Sequence, residues 1–152
     1  MSFCYDIPTA CFCGYPTESL EHLFFHCPLA VNVLSWLHSL LFRSSPSFGS
    51  LLPRHVLFDF SSEELLCVPC FFVYALYVSK FSIWVARNDF SFRDVRPGAI
   101  PLLECVKSRL RFHLPLFFHC FELSCRCRCF ACQWCANGVV GSVHDGRLVL
   151  SI

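Results

Sequence analysis

The sequence predicts a mainly α-helical domain with a Cys/His nucleus near its start and a short β-hairpin at its end. Three observations carry this reading. The stretch CFCGYPTESLEHLFFHC, Cys11 to Cys27, sets two cysteines beside a glycine and follows them with a His and a Cys. Long apolar stretches recur with helical spacing through the middle of the chain. Asp145-Gly146 then stands between two β-rich runs, the pattern of a two-residue hairpin turn.

Taken in order, residues 1–43 form a Cys/His segment with a first helix. Thiolate and imidazole are the donors of tetrahedral zinc, and two ligands from a turn with two from a helix end make a usual site. The candidate ligands are Cys11, Cys13, His22 and Cys27, a zinc-finger-like nucleus. The competing reading is two apolar cysteines and a helix His packed in a core. Thr17 with Glu21, or Ser19 with His22, is placed to open a short helix between the pairs. Pro28 ends it, because the residue before a proline is pushed out of the α region, and Cys27 can then swing toward the metal. Ala30, Val33, Leu34, Leu37, Leu40 and Leu41 predict a helix over about 29–42, with Trp36 on its flank.

Residues 44–60 read as a connecting loop, Ser/Pro/Gly-rich at first and carrying the short apolar run 56–58. Residues 61–124 read as a helical region. Ser61 and Ser62 before Glu63 and Glu64 form a helix start. The run 65–86 is almost wholly apolar, has the length of a membrane span, and holds Pro69 near its beginning. Lys80 would lie deep in such a span, where a charge is costly, so a buried central helix is the preferred reading. Pro97 opens a further helix to about Leu114, with Ile100, Leu103, Val106 and Leu110 on one face and Pro115 ending or bending it. Residues 125–152 are a Cys-rich tail and the hairpin, with strands expected at about 139–144 and 147–151.

Composition narrows the function. Apolar residues reach 55% and charged residues 15%, a richer apolar share than an ordinary domain has. The net charge of +1 hides an asymmetry. Residues 1–79 carry two arginines against six acids, whereas residues 80–128 carry nine Lys/Arg against four acids. A basic middle can meet phosphates or be a solvated helix face. Thirteen cysteines could suggest a secreted disulfide framework. The odd number, and a start MSFCYDIP without a basic region leading into an apolar run, favour an intracellular, reducing setting. No Asp-Asp pair occurs anywhere.

The residues Cys13-Gly14, Ser19-Leu20-Glu21-His22-Leu23-Phe24-Phe25 and Cys27-Pro28 resemble the zinc-binding segment that follows the polymerase domain in non-LTR (LINE-type) retrotransposon reverse transcriptases. That pattern is C-x2-C, a spacer, then E-x2-H-x4-C and a helix. Here Ala10 stands where the first cysteine belongs, and Cys11 is the available thiol. The resemblance continues in Trp84-x2-Arg87-Asn88 with Phe92, and in Gln133-Trp134 with Ala136-Asn137-Gly138-Val139-Val140-Gly141-Ser142. It thus extends over about 10–142.

The resemblance implies a non-catalytic tail, without the clustered carboxylates a polymerase needs for its two metal ions. It implies zinc and a weak hold on the RNA or DNA backbone, with no small-molecule substrate. Lys107, Arg109, Arg111, Arg126 and Arg128 are the candidate phosphate contacts, and solubility is their competing role. Cys125, Cys127, Cys129 and Cys132 fall where such tails are rich in Arg, and Cys135 where they have Gly. Several therefore read as former arginines, although Cys129-x2-Cys132-x2-Cys135 also has ligand spacing. The alternatives from other classes are a small membrane protein spanned by 65–86 and a decayed fragment of the element with no selected function.

Overall fold

The computed structural model describes residues 10–46, 51–66, 68–122, 134–135, 138–145 and 147–152. Its order is a π-helical turn at His22–His26, α1 (Pro28–Ser44), α2 (Pro53–Phe58), a 3-10 turn at Glu64–Leu66, α3 (Cys70–Arg93), α4 (Ala99–Glu122), β1 (Gly141–His144) and β2 (Arg147–Leu150). Helices α1, α3 and α4 pack on one another, the π turn packs on α1, and β2 rests on α4. The expected class, mainly helical with a Cys/His cluster and a C-terminal hairpin, is the observed one.

Helix α1 follows directly from its sequence. Pro28 takes the first helical position, where its missing N–H costs nothing, and the six apolar residues named above are all buried. They meet Phe71, Phe72, Ala75, Leu76 and Ile83 of α3 and Leu102, Val106, Leu110 and Leu114 of α4 in one core, to which Cys11, Phe12 and Cys27 also belong.

Helix α3 begins at Cys70 with Pro69 as its cap, so residues 65–69 lie outside it, and it runs on to Arg93. It stops at Asp94, which takes the left-handed conformation. Asp is among the few non-glycine residues that tolerate that geometry. By length and composition alone, this helix is long and apolar enough to cross a membrane. Lys80 is neutralised here by Asp59, at 2.9 Å.

Three expectations need correction. Within 44–60, residues 53–58 are helical. Pro53 presets the first turn, the Leu52 N–H donates to His55 Nδ1 at 2.9 Å, and Val56 is buried. The fourth helix starts at Ala99 and passes Pro115 to reach Glu122. A proline inside a helix costs about 3 kcal/mol. Burial of Leu110, Leu114 and Phe118 on both sides of the exposed Pro115 offsets that. The buried face also has another phase: Leu102, Val106, Leu110, Leu114 and Phe118 lie inside, while Ile100 is 74% exposed.

The hairpin pairs Gly141 with Leu150 and His144 with Arg147, leaving a two-residue connection as expected. Asp145 has φ 49°, as a primed turn requires. Gly141 is required by space, since a Cβ there would lie 2.5 Å from the Val149 carbonyl oxygen.

Candidate metal centre

The cluster is assembled by two tight turns. In the first, the Gly14 N–H donates to the Cys11 carbonyl and the Cys11 N–H donates to the Tyr15 carbonyl, both at 2.8 Å. Gly14 has φ +95° with open space around its α-carbon, so backbone conformation and not crowding calls for glycine there. In the second, Ser19 opens the helical turn by accepting the His22 N–H at 3.0 Å, as one of the two expected caps.

The H-x4-C spacing explains the π turn. In an α-helix a residue five positions on sits about 140° around the axis, too far for the two to reach one metal ion. The i→i+5 bond, Cys27 N–H to His22 carbonyl at 2.7 Å, widens the turn and brings Cys27 back toward His22. Such π turns are rare and concentrate at functional sites. Cys27 itself is extended, with φ −70° and ψ 119°, the conformation that Pro28 enforces.

The ligand atoms of Cys11, Cys13, His22 and Cys27 all lie within 4.8 Å of one another, close enough to hold a metal ion. Cys11 therefore stands as the fourth donor beside Cys13, His22 and Cys27. Cys13 Sγ is 3.3 Å from His22 Nε2, and the Tyr15 ring stacks on the imidazole at 4.4 Å. Cys11 and Cys27 are fully buried. Burial pushes the Cys11 thiol well above its ordinary pKa and raises that of Cys27, where the amides of Ala30 and Leu29 at the start of α1 partly counter it. Buried thiols beside one imidazole are poor neighbours as anions, and a divalent cation among them reverses that.

The candidate phosphate contacts are less free. Lys107 donates to Glu104 at 3.1 Å and lies over the Trp36 ring. Arg111 pairs with the same carboxylate at 3.6 Å and donates to the Ile152 backbone oxygen at 2.7 Å. Arg109 sits over the Phe81 ring, 5.0 Å from its centroid, and pairs with no carboxylate among the described residues. Arg126 and Arg128 lie outside the described residues, as do Cys125, Cys127, Cys129 and Cys132. Cys135 is buried against Phe118, with Phe117, Trp134, Val143 and Leu148 around it.

Two features escaped sequence reasoning. Arg87 donates to Glu18 at 2.8 Å, with both side chains mostly buried, and ties α3 to the metal segment across 69 positions. His55, 1% exposed, binds Glu64 at 2.9 Å. No spacing rule pairs an arginine with a carboxylate 69 positions away, or this histidine with a carboxylate nine positions on, and only the folded chain shows the pairs.

No protein-family model matches the chain, and neither the curated proteins nor the solved structures yield a match.

Proposed function

We propose that this chain is a zinc-structured, non-catalytic nucleic-acid-binding domain derived from the tail of a LINE-type reverse transcriptase. One observation carries the reading. The segment that resembles the zinc-binding pattern is also the segment whose four donors converge within 4.8 Å. Three thiols and an imidazole are soft and borderline donors, suited to zinc and not to the hard cations magnesium and calcium. Zinc there staples the turn at Cys11–Cys13 to the start of α1 and supplies no reaction. The basic middle of the chain, led by Arg109, Lys107 and Arg111 on α4, supplies phosphate contacts that are weak and tolerant of sequence.

The test is zinc analysis and oligonucleotide binding by the same purified chain under reducing conditions. About one zinc per chain is expected, together with binding whose log–log salt slope is roughly −2 to −4. Charge reversal at Lys107, Arg109 and Arg111 abolishes binding. Glu104→Gln frees Lys107 and Arg111 and tightens it. Metal-free chain with an intact fold, or affinity that ignores salt, overturns the proposal.

A further inference from the structure

Helix α3 turns one apolar side to the core and an aromatic side to solvent. Tyr77, Phe81, Trp84 and Phe92 are 48%, 50%, 55% and 64% exposed. Their spacings of four, three and eight residues place them on a single stripe, with Asn88 between the last two. Phe81 and Trp84 lie nearly parallel, 29° apart, with centroids 6.1 Å from each other. Four large aromatics left in water along one helix are not explained by packing, since isolated exposed apolar residues are common but a contiguous row is not.

The chemistry along the row is distinctive. Cations border it on both edges: Arg109 of α4 lies over Phe81 at 5.0 Å, and Lys80 lies over Tyr77 at 5.3 Å. Lys80 is already held by Asp59, which also accepts the Tyr77 hydroxyl at 2.8 Å. Arg109 donates only to the Cys105 sulfur at 3.5 Å and meets no carboxylate among the described residues. Between Phe81 and Asn88 the sequence carries no carboxylate, and the next one, Asp89, falls about 100° away from Asn88 around the axis. Flat rings in file with a cation poised above one of them suit stacked bases and a phosphate.

We infer that this face of α3 is a platform for single-stranded nucleic acid, with bases stacking on Phe81 and Trp84 and Arg109 meeting the adjoining phosphate. The inference rests on the nucleic-acid reading above and adds to it the surface and the strandedness of the ligand. It also gives the Trp84-x2-Arg87-Asn88 sequence a division of labour. Arg87 anchors the helix to Glu18 beside the metal segment, while Trp84 faces outward.

The test uses the full chain with its metal, fluorescein-labelled 12-mers of oligo(U) and oligo(dT), and a duplex of the same length. Phe81→Ala with Trp84→Ala removes only half-exposed rings, so the helical circular dichroism and zinc content stay unchanged. Single-strand affinity falls by roughly 10-fold or more, and the salt slope holds. Arg109→Gln makes the slope shallower by about one. If the double variant binds like the parent while reversal at Lys107 and Arg111 abolishes binding, the platform is wrong and the nucleic-acid reading survives. If the parent binds no oligonucleotide at low salt, both fall. Equal losses for duplex and single strand overturn stacking. Loss of binding to phosphatidylserine vesicles with oligonucleotide binding intact makes the row a membrane face and overturns the platform.

Discussion

Two buried histidines each fasten a short helical segment of this molecule, and they do so by opposite means. His55 opens into a closed set of hydrogen bonds. Its Nδ1 accepts the Leu52 N–H, so Nε2 carries the proton and donates to Glu64. Glu64 also receives Arg54 at 2.7 Å and the Ser61 N–H at 2.9 Å, while the Glu64 N–H returns to the Ser61 hydroxyl at 3.3 Å. This is a capping box with a histidine added. His22 instead faces three thiols, two of them fully buried with raised pKa. The first clasp is complete within the chain. The second brings four donors close enough to hold a metal ion. A buried histidine is thus structural or ligating according to what surrounds its second nitrogen.

The largest effect separates the two clasps outright. Apparent zinc binding energies in small fingers run roughly 10–16 kcal/mol, so His22→Ala or a chelator releases the metal and loosens residues 10–30. Zinc content and proteolysis at Tyr15–Leu20 read this directly. His55→Ala leaves the zinc content untouched and costs about 2–4 kcal/mol, from the lost packing and the stranded Leu52 N–H. Equal zinc loss in both variants would erase the distinction.

Acid sharpens the comparison from the other side. The Ser61 amide first, then Arg54 and His55, hold the Glu64 carboxyl well below its ordinary value of 4.5. A carboxyl whose folded pKa is depressed contributes stability above its unfolded value and loses it as pH falls through the folded one. The urea midpoint of Glu64→Gln should therefore trail the parent by a constant margin down to about pH 5, and the margin should shrink progressively below that as pH falls toward the folded value. A margin that persists unchanged at the acid end would mean that shape, not charge, holds this clasp.

Legibility followed the range of the interaction. The α1 stripe, the Ser19 cap, the Cys27–Pro28 break and the Asp145 turn are set by residues within a few positions of each other, and local spacing revealed them. The four ligands span only residues 11–27 and were equally visible, although the π turn that closes them was not. The 53–58 helix escaped because its six residues are too few to show a period. The expected α4 face is out of phase with the observed one, because a helix that runs only to about Leu114, with Pro115 ending or bending it, omits the turns beyond. With the helix cut there, Ile100 and Leu103 looked like the stripe, whereas Leu114 and Phe118 beyond or at the break define it. His55–Glu64, Arg87–Glu18 and the outward row on α3 depend on which surfaces the core leaves over, which no local pattern records.

The smallest effect concerns Cys135, which is nearly as buried as Cys11 and Cys27 but lives among aromatic rings. It is 2% exposed, and burial pushes its thiol up to about 11. It is a neutral, apolar group at neutral pH, and its backbone carbonyl, not its sulfur, accepts the Gly138 and Val140 amides that lead into β1. Cys135→Ala removes one soft atom from that packing and should cost about 1 kcal/mol. Cys135→Ser keeps the shape but buries a hydroxyl with no partner built for it, so it should cost more, roughly 1–3 kcal/mol. At Cys27 the two replacements behave alike, because either removes the thiolate a metal needs. Unfolding midpoints and zinc content of the four variants complete the contrast. Alanine above serine in stability with zinc retained fits a packing cysteine, and loss of zinc from either Cys135 variant would instead make it a ligand, in line with its spacing from Cys129 and Cys132.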